Sequence, residues 1–190
     1  MADIIIIMNK LILIFTVLMV FTAIYPSVAQ NMKDVEPVEY VDINKYMGTW
    51  YEYARIPNRF QNKCEGNVTA DYKLLPDGKV QVVNKCLEKN GSNDKAEGIA
   101  KIVDKKTNSK LKVSFFSIFG INLFWGNYWV LYIDEEYTIA VVGEPSRKYG
   151  WILTRDINPD IETLGEAYEA IEKNGYDKTK FILTKQGIKD

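Results

Sequence analysis

Histidine does not occur anywhere in the 190 residues. Its absence removes Ser-His and Cys-His nucleophilic pairs, histidine acid–base catalysis and the commonest metal ligand. Cysteine is almost as scarce, with Cys64 and Cys86 alone, and their spacing is not the C-x-x-C of a zinc site. The chain is therefore expected to hold no metal, no cofactor and no catalytic residue. It also lacks any excess of one charge sign. The 24 basic and 25 acidic residues are well mixed, for a net charge of −1, and no basic stripe suits a phosphate backbone. Nucleic acid is not an expected partner. Proline-rich linkers and low-complexity tracts are missing between Trp50 and Arg155, which at this length points to one domain.

What is present begins with a targeting pattern. Met8-Asn9-Lys10 is a short basic start, 11–24 is apolar, and Ser27-Val28-Ala29 is a small-x-small cleavage site, so 1–29 reads as a signal peptide and 30–190 as the mature domain. The acid at Asp3 suits such a segment poorly, which favours Met8 as the true start. A retained membrane anchor is the alternative, because 4–7 lengthens the apolar run. Export implies an oxidising compartment, where a lone pair of cysteines is expected to join as Cys64–Cys86, two buried free thiols being the other option. The turn Pro76-Asp77-Gly78 would set Cys86 opposite Val68 rather than Cys64. The bond therefore requires Cys64 to lie in a folded-back loop or behind a bulge.

From Trp50 onward, short β-branched and aromatic runs alternate with turn residues. Eight strands are predicted, near 50–56, 67–75, 79–87, 96–103, 110–116, 127–134, 137–143 and 149–155. Short connections make them an up-and-down antiparallel sheet, and eight strands close into a barrel with room for one small ligand. An all-β domain with one flanking helix results. The helix is predicted from an Asn158 cap and Pro159 to Gly175, with Ile161, Leu164, Tyr168 and Ile171 as its apolar stripe. Residues 180–184 form a last extended piece. Gly48 lets the chain turn into a strand headed by Trp50, whose ring is large enough to plug a barrel end, and Arg155 is placed to cover that ring by a cation–π contact.

These residues resemble the lipocalin family, specifically its branch of bacterial outer-membrane lipocalins and apolipoprotein D-like proteins. The likeness rests on Gly48-Thr49-Trp50-Tyr51-Glu52 with Ala54-Arg55, on Val68-Thr69-Ala70-Asp71-Tyr72 leading to Asp77-Gly78, and on Lys112-Val113-Ser114-Phe115-Phe116. Tyr128-Trp129-Val130, Asp134-Glu135-Glu136-Tyr137 and Trp151-Ile152-Leu153-Thr154-Arg155 complete it. The resemblance implies an eight-stranded calyx with Arg155 across Trp50 at its closed end. It also implies binding of a fatty acid, lysophospholipid or similar amphiphile, in lipid transport or membrane maintenance. Two further readings stay open, a lipocalin-fold enzyme or haem or pigment binder, and a protein-interaction module using the barrel rim. Bacterial relatives often carry a lipid-modified cysteine after the signal peptide. None precedes Cys64 here, so an exported periplasmic or secreted protein without a lipoprotein anchor is expected, with outer-membrane association implied only by the relatives.

Alternation from Trp50 sets the expected lining. Glu52, Ala54 and Ile56 follow it inward, and Tyr72, Ala100, Val113, Phe115, Tyr128, Val130, Tyr132, Ile139, Val141 and Trp151 continue the face. The hydroxyls of Tyr72, Tyr128 and Tyr132 are expected to orient a headgroup near the mouth. Phases around the sixth strand are ambiguous, because that strand is apolar on both faces. The apolar segment 116–126, from Phe116 to Gly126, is expected at the open rim as a membrane-surface contact, a lid, or a packing or dimer contact. Monomer and homodimer are equally open.

Overall fold

In a computed structural model that describes residues 34–188, the alternating segments become strands. They are β1 (Gly48–Arg55), β2 (Cys64–Leu74), β3 (Val80–Glu88), β4 (Asn93–Ile102), β5 (Lys110–Ser114), β6 (Phe116–Ile118), β7 (Ile121–Leu123), β8 (Gly126–Ile133), β9 (Ile139–Gly143), β10 (Gly150–Thr154) and β11 (Ile182–Leu183). The expected signal peptide, 1–29, lies outside the described residues. The main sheet runs β10-β9-β8-β5-β4-β3-β2-β1, and β10 pairs with β1 again. Eight antiparallel strands thus close into a barrel with no free edge among them. The segment 116–126 is not plain loop, since β6 and β7 pair as a separate hairpin.

Strand β1 pairs with β2 only over Gly48–Tyr51. Beyond that stretch the C-terminal segment takes over the seam. β11 pairs with Ala54 and Arg55, Asn67 N–H donates to the Lys185 carbonyl at 2.8 Å, and the Gln186 amide donates to the carbonyls of Glu52 and Val68, each at 2.9 Å. Backbone groups that the diverging strands leave unpaired are satisfied by the tail.

The flanking helix spans Ile161–Lys173. Its cap is Asp160, whose carboxylate accepts from Thr163 N–H at 3.0 Å, and not Asn158 as predicted. The start shifts because Asp160 offers a charged acceptor next to the first turn. Gly175 ends the helix at φ +72°, a backbone region that favours glycine. Leu164, Ala167 and Ile171 bury against Leu131, Ile139, Val141 and Ile152 on the barrel's outer wall. Ile161, predicted in the stripe, is 85% exposed; being the first helical residue, it lies beyond the surface that the helix covers.

Cys64 and Cys86 are joined, with Cα atoms 5.8 Å apart. The β2–β3 register holds from Leu74↔Val80 to Thr69↔Lys85 and then shifts twice, around Gly66. That irregularity brings Cys64 to Cys86 beside Val68, the bulge that the turn register required. For a bond closing a separation of 22 residues, loop entropy predicts that Cys64→Ser with Cys86→Ser costs about 3 kcal/mol. Urea unfolding of the oxidised protein and the double variant measures the difference.

Candidate ligand-binding calyx

The barrel's lower end is built from the approach to β1. Asp42 caps a short helix, Ile43–Tyr46, by accepting from the N–H groups of Asn44 and Lys45. Gly48 then takes φ +96°, where other residues are strained, and the turn delivers Trp50 into the barrel with no exposed surface. Trp50 Nε1 donates to the Tyr46 carbonyl at 2.9 Å. Arg155 lies across the ring, 3.9 Å from its centroid, and its guanidinium donates to the carbonyls of Thr49, Lys45, Tyr46 and Met47 at 2.7, 2.9, 3.2 and 2.7 Å. One side chain thus closes the end by both cation–π contact and hydrogen bonding.

Above this floor lies a cavity of about 900 Å³. Of the predicted lining, Tyr72, Ala100, Val113, Phe115, Tyr128, Val130 and Trp151 do face it. Tyr132 and Val141 do not. β8 carries a bulge between Val130 and Tyr132, which turns Tyr132 outward, where its hydroxyl donates to Glu166 of the flanking helix at 2.5 Å. Val141 and Ile139 pack beneath the same helix, and Val142 faces the cavity instead. All five residues of β9 are buried, so polarity marks no inward phase on that strand. A second bulge, between Glu52 and Ala54, likewise sends Ala54 and Ile56 to the outer cluster.

The tyrosines sit low, near the closed end, and not at the mouth. Tyr46, which sequence reasoning missed, packs on Trp50 at 5.1 Å and on Tyr72 at 5.6 Å between ring centroids. The only sequence signal for it was an aspartate cap one turn before the glycine–tryptophan entry. Its hydroxyl meets that of Tyr128 at 2.8 Å, and Tyr72 meets Tyr128 at 2.9 Å. Burial pushes the Tyr72 phenol up to about 12, against the opposing hydrogen bond from Tyr128 and the charge of Arg155. Burial likewise raises Tyr46 and Tyr128 well above the ordinary phenol value.

A raised folded-state value favours the protonated, folded form. Stability from the Tyr72 phenol is complete below pH 10 and is lost as the pH climbs toward 12, because the unfolded chain ionises first. Tyr72 alone corresponds to roughly 3 kcal/mol over that window. Thermal melts between pH 8 and 12 should show a steep alkaline loss that flattens in a Tyr46→Phe/Tyr72→Phe/Tyr128→Phe variant.

Toward the mouth, Glu52 is the one carboxylate on the inner wall of β1. It is buried and accepts from Arg55 Nη1 at 2.7 Å and from Gln61 Nε2 at 2.5 Å. Gln61 in turn accepts from Trp151 Nε1 at 3.1 Å and from the Asn58 amide at 2.8 Å. The β1–β2 loop is thereby tied to the calyx wall. Lys63 is paired with Asp94 and Glu88. Arg59 lines the mouth, lies over the Phe60 ring at 5.0 Å and has no ion-pair partner among the described residues. The β6–β7 hairpin stands at the same rim, with Phe119 fully exposed and Phe124 82% exposed. Among the described residues, no cluster of potential metal ligands forms and no helix is long and apolar enough to cross a membrane.

Comparison with known proteins agrees with this geometry. A family model described as a lipocalin-like domain matches residues 41–186. Temperature-induced lipocalin-1 of Arabidopsis thaliana is 41% identical over 157 residues, covering 81% of this chain and 84% of the relative. Outer membrane lipoprotein Blc of Escherichia coli is 38% identical over 155 residues, with 81% and 84% covered. Apolipoprotein D of Macaca fascicularis is 32% identical over 155 residues, with 78% of each covered. Among solved structures, insecticyanin from the tobacco hornworm Manduca sexta superposes with a TM-score of 0.65 at 25% identity, covering 80% of this chain and 84% of that one.

Proposed function

The chain belongs to the lipocalin family, and on that footing we propose that it is a non-enzymatic carrier of one small hydrophobic or amphiphilic ligand, a fatty acid or lysophospholipid, serving lipid transport or membrane maintenance. The observation that carries this reading is the cavity of about 900 Å³, plugged below by Trp50 and open above, with Val80, Val82, Leu111, Val113 and Val130 on its walls. Such walls favour an alkyl chain by about 0.8 kcal/mol per buried methylene. At the mouth, Arg59, which has no ion-pair partner among the described residues, offers a cation to an anionic head. Catalysis by a thiolate has no support, since both cysteines are bonded. The oxidising setting that the disulfide calls for supports export to a periplasmic or extracellular compartment. Organic extraction of the purified protein followed by mass spectrometry tests the reading. A stoichiometric lipid, or a lipid that titrates into the emptied protein, is expected; neither appearing would overturn it.

The exposed aromatic rim favours a second element of the same function, delivery at a membrane surface through the hairpin. Phe119→Ser with Ile121→Ser, two exposed residues of the hairpin outside the cavity lining, should weaken partition onto phosphatidylcholine vesicles by more than about tenfold, while lipid titration in solution stays unchanged. Vesicle flotation measures it.

A further inference from the structure

The buried tyrosine trio has one proton too many. Each phenol supplies a single donor, and the two hydroxyl contacts, Tyr46 with Tyr128 at 2.8 Å and Tyr72 with Tyr128 at 2.9 Å, use two of the three. Whichever way the chain of hydroxyls is oriented, one proton finds no further acceptor among the described residues. All three side chains line the calyx, among Val80, Leu111 and Val130. That third proton is therefore offered to whatever fills the calyx, and a ligand end carrying an acceptor oxygen satisfies it where a bare alkyl end leaves it unpaired.

We propose that the calyx selects ligands carrying a neutral acceptor oxygen, a ketone, ester carbonyl or hydroxyl, at the end that enters first, with Tyr46, Tyr72 and Tyr128 as its receptor. This rests on the carrier reading and adds the chemistry of the ligand's buried end. The oxygen is neutral because the site is too deeply buried to take a charge without a cation beside it. The nearest cation, Arg155, is already committed to the Trp50 ring and to four backbone carbonyls. The phenols themselves remain protonated donors at ordinary pH, since burial raises all three.

Partition of octan-2-one and of octane into the whole protein, followed by headspace gas chromatography, tests the inference. Replacing the trio together as Tyr46→Phe/Tyr72→Phe/Tyr128→Phe removes every hydroxyl and leaves no partner stranded. The variant is expected to lose about tenfold in affinity for the ketone and to hold octane at least as well as the original. An equal change for both ligands, or none for the ketone, overturns the inference while the carrier reading stands. If neither compound enters the original protein, both fall. Should the variant fail to fold, the infrared carbonyl band of octan-2-one bound to the original protein decides. A shift to lower wavenumber than in hydrocarbon solvent supports the hydrogen bond, and an unshifted band overturns it.

Discussion

Trp50→Ala is expected to destabilise the protein by about 3–5 kcal/mol, the range for truncating a buried tryptophan. The ring has no exposed surface, and its loss removes three supports together. The plug between Tyr46 and Arg155 becomes a void, the hydrogen bond to the Tyr46 carbonyl disappears, and Arg155 loses the face on which it lies. Arg155 keeps its carbonyl partners, so the entry to β1 should stay in place in the folded fraction. Ligand choice should change little, because the cavity lies above the plug. Urea unfolding beside lipid titration separates the two effects. A variant that stayed stable and lost only its lipid would mean that the barrel's closed and open ends are assigned the wrong way round.

Ala96→Trp should have the opposite signature. Ala96 is half-buried and faces the cavity from β4, opposite Asn84 of β3. A ring placed there occupies the space of a ligand chain. Displacing about three methylenes, at about 0.8 kcal/mol each, weakens alkyl-chain binding by roughly 50-fold. The ring enters open space instead of a packed core, so stability should move by no more than about 1 kcal/mol. Fluorescent fatty-acid displacement and thermal melts check the pair. Unaltered binding would place the ligand outside the calyx.

The fold was legible because its signals agree across levels. Strand periodicity, turn residues at Pro76-Asp77-Gly78 and Glu144-Pro145-Ser146, and the pairing of Trp50 with Arg155 all specify one closed barrel. The wall of the calyx was legible only where alternation runs unbroken, as along Leu111, Val113 and Phe115. It failed at the bulges after Glu52 and after Val130, since one extra residue reverses every side chain beyond it. It failed again on β9, buried on both faces, where the flanking helix supplies a second apolar surface and erases the alternation. Tyr46 and Gln61 escaped notice for another reason. Both lie off the strands, on a short helix and a loop where no alternation marks an inward face, and part of their role comes through contacts far along the chain with Tyr128 and Trp151.

Calorimetric titration with straight-chain fatty acids of increasing length tests the central claim, that an apolar calyx closed by Trp50 takes one alkyl chain. One molecule should bind per protein, with affinity tightening about fourfold for each added methylene until the cavity of about 900 Å³ is filled. An affinity indifferent to chain length, or no saturable binding at any length, would contradict it.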